Sequence, residues 1–465
     1  MMCTRLLSSR LYLLSTRLKS TASPRMVQAA VAADKPPRPL AVSLAFEDPS
    51  AFQVKSLREL FRALVVFRFC SFPMLVNNCN KLMSTARSIL GRRVFATLMR
   101  STVYAQFVAG ENEKEISESM EKMSTLGLRP MLAVPIEEDL GGSTGEKRYN
   151  ENMDAMLECV RMSHSNAWSK DPMMQLKVTA LLSPELCVKL TKIISKQAYD
   201  LDLLVRAMDG EEVKFHGLEE NEAAHFRCSL RRLNKIGEAS VNKVRVLVDA
   251  EYTYMNPALS LVSMAMMKKF NKDSAWIWYT FQCYLKETRT HLLEAINQSQ
   301  EGGFCLGVKL VRGAYMDKER KLAAKEGRPD PVQDTWEDTN DNYNSLLEVL
   351  LRLIAEEPTR YRIIVATHNE ESVRRAAKCV EELGIDKSRG SVCFGQLLGM
   401  CDHVSLTLAK EGYAVYKSVP YGSVDDTLPY LVRRAQENQT VLKGIRKERD
   451  LLRQELRRRL NLGAR

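Results

Sequence analysis

From about residue 126 onward, short apolar runs rich in β-branched residues alternate with stretches whose apolar positions recur every three or four residues. The short runs fall at Met131–Ile136, Gln175–Leu181, Val244–Glu251, Ala275–Gln282, Cys305–Gly313, Tyr361–His368, Val392–Leu398 and Ala414–Pro420. Runs of this length and composition predict strands, and the helical period predicts helices between them. In Ser372–Leu383, for example, Val373, Ala376, Val380 and Leu383 line one face and Gly384 supplies a stop. The stretch Asp334–Glu357 opens on Asp and Thr and ends before Pro358. Eight strands alternating with helices predict a parallel sheet, and eight is the number that closes a (β/α)8 barrel of the TIM type. An open doubly wound sheet is the alternative. No GxGxxG follows any of these strands, which weighs against a dinucleotide-binding sheet of that kind.

Ahead of the barrel, after the Pro-rich link Lys35–Leu40, residues from Pro49 to about Leu126 carry helical spacing around Leu57, Leu60, Phe61, Leu64 and Val65. The pattern therefore divides the chain into residues 1–33, a linker and N-terminal helical arm over 34–125, a barrel over 126–440 and a terminal helix over 441–465. The second and third strands are separated by residues 182–243, too long for one crossover helix, so an insertion is expected there. Its acidic part, Asp209–Glu222, reads as an excursion or a flexible loop. Thr440–Leu460 alternates leucines with basic residues. It predicts an amphipathic C-terminal helix with an arginine-heavy face, suited to an anionic surface, to the barrel mouth, or to solvent alone.

Composition refines this picture. At 465 residues and 45% hydrophobic the chain can bury a large core, and no uninterrupted apolar stretch is long enough to span a membrane. The eleven cysteines are scattered without a CxxC pair and the six histidines show no metal-ligand spacing, so no metal site is expected. The net charge of +11 is a property of the two ends. Residues 1–33 hold Arg5, Arg10, Arg17, Lys19 and Arg25 with no acid, the pattern of a mitochondrial transit peptide or, more blandly, of a basic arm. Residues 441–465 hold nine basic and three acidic residues, which leaves the body nearly neutral and gives no argument for nucleic acid as a partner.

In a (β/α)8 barrel, chemistry sits at the carboxyl ends of the strands, and the unusual polar residues of this chain collect there. Lys177 lies in "QLKVTAL", Asp249 and Glu251 end "VRVLVDAE", and Gln282 ends the fourth strand. Lys309 and Arg312 bracket the end of the fifth, with Tyr315 beyond. Thr367, His368 and Asn369 end the sixth, and Gln396 lies within the seventh. After the eighth strand, Asp425, Asp426 and Pro429 mark a helix start. Tyr430, Arg433, Arg434 and Glu437 then share one helical face. Two neighbouring guanidiniums suit a carboxylate or a phosphate. With no glycine-rich loop beside them a carboxylate is the better match, and a barrel enzyme acting on phosphorylated substrates is the weaker one.

The motifs "LVDAE", "VKLVRGAYMD", "ATHN", "FGQLLGMCD", "VPYG" and "PYLVRRAQEN", in that order, resemble the proline dehydrogenase family of mitochondrial flavoenzymes over most of Leu126–Asn438. The resemblance implies a (β/α)8 barrel that holds FAD without a Rossmann domain, oxidises a cyclic imino acid to a pyrroline carboxylate and passes electrons to a ubiquinone-type acceptor. It further implies association with the matrix side of the inner mitochondrial membrane. Carried over by motif position, Arg433 and Arg434 resemble the pair that grips the substrate carboxylate, with Lys177 beside it. Tyr315, Tyr430 and Leu397 resemble walls of the substrate pocket, and Asp249 an orienting polar residue. Gln282, Lys309, Arg312, Thr367, His368 and Asn369 match flavin-contacting positions, and Glu437 the carboxylate paired with the arginine network.

One position departs from the family pattern. Members that oxidise proline read "YKYVPYG" in the eighth strand, whereas this chain reads "YKSVPYG", with Ser418 in place of the tyrosine. Serine leaves room for an extra ring substituent and offers it a donor and an acceptor. That is the pattern of the branch that takes trans-4-hydroxy-L-proline, giving 1-pyrroline-3-hydroxy-5-carboxylate. L-proline, giving 1-pyrroline-5-carboxylate, is the alternative substrate.

Overall fold

The computed structural model describes residues 44–134, 136, 145–165, 168–440 and 442–462, excepting the side chains of 437–445 and 461–462. The leader over 1–33 and the link Lys35–Leu40 lie outside the described residues.

The arm opens with a 3-10 turn, Pro49–Val54, followed by α1 (Leu57–Cys70), α2 (Pro73–Asn77) and α3 (Cys79–Met99). Ser56 and Glu59 cap α1 reciprocally: the Ser56 hydroxyl accepts from the Glu59 N–H, and the Glu59 carboxylate accepts from the Ser56 N–H. The buried stripe of α1 is Leu60, Ala63, Val66, Phe67 and Cys70, spaced as the sequence predicts. After α4 (Glu113–Thr125) the chain enters the barrel.

The eight strands are β1 (Leu128–Ala133), β2 (Met173–Leu176), β3 (Arg245–Val248), β4 (Ile277–Gln282), β5 (Leu306–Val311), β6 (Tyr361–Ala366), β7 (Val392–Leu397) and β8 (Val415–Pro420). Each pairs in parallel with the next, and β8 closes on β1 with Leu128 opposite Val415 through Ala133 opposite Pro420. This is the predicted closed (β/α)8 barrel, not the open sheet. Several strand ends shift from expectation; β3, for one, stops at Val248, so Asp249 and Glu251 stand past it. β1 begins at Leu128, because Arg129 and Pro130 disguise its start. β2 stops at Leu176, so Lys177 stands just past the strand, ahead of a 3-10 turn at Val178–Ala180, and not inside it.

Between the strands run α5 (Glu146–Ser165), α6 (Pro184–Ile194), α7 (Leu201–Met208), α8 (Glu220–Ser240), α9 (Asn256–Phe270), α10 (Thr288–Gly302), α11 (Met316–Glu326), α12 (Trp336–Glu356), α13 (Glu370–Glu382) and α14 (Asp402–Lys410). The long segment 182–243 is built of three of them, α6 to α8, and its acidic part is anchored, not loose. Val213 and Phe215 are buried, Phe215 packs on Tyr199 and Phe226, and the Tyr199 hydroxyl donates to the His216 carbonyl at 2.6 Å. After the barrel come α15 (Val424–Thr440) and α16 (Leu442–Leu462). Pro429 falls past the first turn of α15, whose start is capped by Ser423 through the Asp426 N–H.

Successive residues of a strand face opposite sides of the sheet, and that alternation divides the barrel interior into layers. Met131, Met173, Leu247, Trp278, Ile364, Cys393 and Tyr416 pack as a separate buried cluster inside it. Two residues further along the same faces come Gln175, Asp249, Thr280, Lys309 and Ser418. The interior is thus polar toward the carboxyl ends and apolar below that, and at the amino ends of the strands the same faces end in charge, with Arg245 and Arg362 on Asp171 and Arg129 on the Tyr416 hydroxyl. In the apolar layer Gly307 stands opposite Trp278, whose indole occupies the space a side chain would take. Gly307→Ala is expected to displace that ring and destabilise the fold by about 1–3 kcal/mol, read as a lower urea midpoint with an unchanged slope.

Candidate active site at the carboxyl ends of the strands

A cavity of about 610 Å3 opens among three elements. The segments after β2, β3 and β5 contribute Lys177, Glu251, Tyr252, Tyr315 and, in the first turn of α11, Lys318; α15 contributes Leu428, Val432 and Arg433; and α3 of the arm closes the side with Asn80, Met83, Arg87 and Phe95. The lid helix is tied to α15 by Arg87 and Arg92, which both pair with Asp425, at 3.1 and 2.9 Å. Within the cavity, Glu251 is 6% exposed and accepts from the Thr179 hydroxyl at 2.7 Å. The Tyr315 ring lies 4.6 Å from Tyr252. Burial, then the Glu251 and Asp249 carboxylates, push the Tyr315 phenol well above its ordinary value, so it stays protonated and able to donate. Lys177, Lys318 and Arg433 are cations of this lining, joined by Arg87 from the arm, and a cavity of this volume fits a small ring carboxylate with part of a larger group.

Beside the cavity, Lys309 on β5 donates to Asp249 past the end of β3 at 2.6 Å. This fixes a charge pair at the centre of the barrel mouth. Gln282 is held at both ends: its amide donates to the Glu251 carbonyl at 2.9 Å, and its oxygen accepts from Asn256 at 2.8 Å.

A second group gathers over β6 to β8. His368 Nε2 accepts from the Leu397 N–H at 3.2 Å, which leaves the ring proton on Nδ1. Burial, then Lys417 and Arg434, hold the imidazole down to about 3, so it is neutral over the physiological range. Ser418 is 6% exposed and donates to Gln175 at 3.2 Å across the barrel interior, opposite Leu397 in the β7–β8 register. Thr367 accepts from the Asn369 N–H, and Asn369 caps α13 by accepting from the Ser372 N–H at 2.9 Å.

The two neighbouring arginines diverge. Arg433 lines the cavity, close enough for its charge to act on Tyr315, whereas the Arg434 guanidinium lies 5.1 Å from the centre of the Tyr430 ring and its charge reaches His368. The structure therefore brings Lys177, Tyr315 and Arg433 into one cavity and sets Leu397, Ser418, His368 and Arg434 in the adjoining group. The Glu437 side chain lies outside the described residues. Gln396, polar and read from sequence as a rim residue, faces the helix layer instead, accepting from the Ser405 hydroxyl at 3.0 Å.

Sequence reasoning missed the α3 side of the cavity and the support behind β8. The α3 residues could not be found from period alone, because a helical face does not reveal what it meets. Lys417 carried a signal in its alternation with Ser418, which places it on the outer face of the barrel where a cation needs a partner. It has Asp402 at 2.7 Å, and the Leu397 and Met400 carbonyls at 3.2 and 2.7 Å.

Arg312 supplies the test of whether a flavin dinucleotide fits. Its guanidinium is half-buried between the Trp336 and Tyr343 rings, at 5.8 and 5.3 Å. It bonds the Ser372 hydroxyl at 3.1 Å and has no carboxylate pair among the described residues, and desolvation lowers its pKa. A desolvated cation without a counter-ion suits a diphosphate. The residues present fit the group.

Fold and site together define a barrel of the enzyme type, with cations gathered at the carboxyl termini of the strands where they suit a carboxylate and a diphosphate. The profile described as proline dehydrogenase matches residues 116–447. The chain is 55% identical to the hydroxyproline dehydrogenase of Xenopus laevis, covering 90% of this chain and 91% of that protein. It is 45% identical to the hydroxyproline dehydrogenase of Homo sapiens, covering 91% and 95%. Against proline dehydrogenase 1, mitochondrial, of Drosophila melanogaster it is 34% identical, covering 91% and 82%. Among solved structures, proline utilization A of Bdellovibrio bacteriovorus matches with a TM-score of 0.58 at 20% identity, covering 89% of this chain and 41% of that one, a likeness of fold. The chain belongs to the proline dehydrogenase family.

The depressed pKa of His368 gives a stability prediction. Below about pH 6.5 the unfolded chain takes up a proton on this residue that the folded protein refuses, so its contribution is lost as pH falls from about 6.5 toward 3. Between about pH 7 and pH 5, His368→Gln should lose about 2 kcal/mol less unfolding free energy than wild type. Equal losses in urea titrations would remove the neutral imidazole from the account.

Proposed function

We propose that this protein oxidises trans-4-hydroxy-L-proline to 1-pyrroline-3-hydroxy-5-carboxylate, with FAD as its cofactor and a ubiquinone-type compound as electron acceptor, on the matrix side of the inner mitochondrial membrane. The observation that carries the substrate is Ser418. It stands on the inner face of β8, hydrogen-bonded to Gln175, where the proline-oxidising pattern has a tyrosine. A small hydroxyl and an amide leave space in the polar layer and present both donor and acceptor to a ring hydroxyl. The names of the relatives at 45–55% identity support the same choice. For the compartment, the acid-free basic stretch over 1–33 is the support, together with the mitochondrial name of the Drosophila relative.

The chain's residues divide the work as follows. Arg433, with Lys177 and the neighbouring Arg434, holds the substrate carboxylate, and that anchor fixes which ring carbon faces the cofactor. Tyr315, Tyr430 and Leu397 wall the ring, and Asp249, locked by Lys309, orients it from the barrel mouth. Lys309, Arg312, Gln282, Thr367, His368 and Asn369 would hold the cofactor, Arg312 at its diphosphate. Bound FAD supplies the acceptor for the hydride that leaves the carbon next to the ring nitrogen. That nitrogen gives its proton to solvent, so the ring loses two electrons and two hydrogens. The cations of the site favour negative charge accumulating nearby.

Two substitutions test this reading. Ser418→Tyr should lower kcat/KM for trans-4-hydroxy-L-proline at least tenfold relative to L-proline, about 1.4 kcal/mol of discrimination. An unchanged ratio would sink the assignment of Ser418 to the ring substituent. Arg433→Met, by removing a charge-assisted hydrogen bond of about 1.5–3 kcal/mol, should cut kcat/KM for either substrate by one to two orders of magnitude. A variant with undiminished kcat/KM would move the carboxylate anchor elsewhere.

A further inference from the structure

Among the described residues, eleven of the thirteen large hydrophobic side chains left exposed fall between Val54 and Leu98, all in the arm. On α1 and α2 they include Phe61 at 64%, Phe69 at 58% and Met74 at 80%; on α3 they are Leu82, Ile89 at 77%, Leu90, Val94 and Leu98. Scattered apolar residues on a surface need no explanation, but this concentration on one short segment does. The same segment is acid-free. From Leu60 to Gly110 the chain has seven basic residues and no Asp or Glu. Arg87 and Arg92 are turned to Asp425 and Arg100 to Glu111 and Glu115, whereas Arg68, Lys81 and Arg93 are exposed and have no carboxylate pair among the described residues. Arg68 lies over the Phe72 ring, 4.7 Å from its centre.

The location gives this surface a use. One side of α3 lines the cavity through Asn80, Met83, Arg87 and Phe95, so the helix that closes the candidate active site is the one that leaves Ile89 and Val94 uncovered. Gly91, at φ 74°, interrupts the helix between them.

We propose that the exposed face of the arm, centred on α3, seats on an anionic lipid surface and so brings the mouth of the active-site cavity to the membrane. Projecting aromatic and aliphatic side chains flanked by unpaired cations are what an interfacial helix offers to lipid. Each exposed Lys or Arg adds attraction to an anionic surface. No described helix is long and apolar enough to cross a membrane, so the arm lies on the surface and does not span it. A second copy of the chain fits less well, because an isologous contact would set this acid-free basic face against itself. The C-terminal helix also fits less well. Its Leu451 and Leu452 are buried, and Leu460 is the one large apolar side chain exposed among its described residues. The inference rests on the reading that the electron acceptor is dissolved in lipid.

The test is flotation of the full-length holoenzyme with vesicles of phosphatidylcholine plus phosphatidylglycerol and of phosphatidylcholine alone, alongside turnover with a water-soluble acceptor. Wild type should float with the anionic vesicles. Phe61→Glu/Ile89→Glu/Val94→Glu should reduce the bound fraction at least tenfold at unchanged soluble-acceptor turnover. Should that variant prove inactive, Ile89→Ser/Val94→Ser takes its place, with a smaller loss expected. Arg446→Glu/Arg453→Glu/Arg457→Glu on α16 should still float. The proposal is overturned if the arm variant floats like wild type, if only the α16 variant is lost, or if wild type binds neither vesicle. It is equally overturned if the arm substitutions turn a dimer into a monomer, which would make the face a contact between copies. Soluble-acceptor turnover of hydroxyproline reports on the proposed substrate independently of flotation, so failure of one reading is distinguishable from failure of the other.

Discussion

A buried lysine fastens the last strand of the barrel to the turn before it. Lys417, 1% exposed on the outer face of β8, would be several kcal/mol unfavourable there without partners. Its three hydrogens are met by Asp402 and by the carbonyls of Leu397 and Met400. Asp402 is itself buried. Burial alone would raise its carboxyl, but Lys417 and Lys55 outweigh that and hold it well below the ordinary carboxylate range. Lys55 comes from the arm, at 2.7 Å. From the other end of the chain, Glu448 on α16 accepts from the Cys401 and Asp402 N–H groups, both at 2.8 Å, at the amino end of α14 where an anion is favoured. Cys401 sits there in the left-handed region, at φ 57°.

The arm and the terminal helix therefore meet at one turn, which adjoins the candidate site. Leu397 gives its N–H to His368 and stands opposite Ser418, so the polar upper layer of the barrel is braced from outside by ion pairs reaching into the arm and the terminal helix. The lower layer is held differently, by the fit of Trp278 over Gly307 and its apolar neighbours. A packed apolar layer thus lies between two charged ends of the barrel, and the candidate site lies at the carboxyl end.

Much of this was legible in the sequence. The strand-and-helix alternation gave the barrel, and polar residues at strand ends gave Lys177, Asp249 and Lys309, because a charge where a strand should be apolar stands out; Arg433 came from the shared face of the helix after the eighth strand. Lys417 did not stand out, since its neighbour Ser418 drew the argument and its partner Asp402 lies across a turn that no local pattern predicts. Gln396 was misplaced for the complementary reason: a polar residue inside a strand signals a need for a partner but not on which side of the sheet. The arm was legible as helices. Its role as the wall of the cavity depends on tertiary contact, and the basic terminal helix, read as suited to an anionic surface, the barrel mouth or solvent, buries Glu448 and Glu455.

On the proposed reading, the polar layer around Ser418 and Gln175 is shaped for a ring bearing a hydroxyl. The most direct measurement is kcat/KM of the wild-type holoenzyme for trans-4-hydroxy-L-proline and for L-proline with one quinone analogue. A preference for the hydroxylated ring of at least about tenfold is expected. A preference of that size for L-proline would contradict it, and would make the serine a tolerated change in an enzyme that oxidises proline itself.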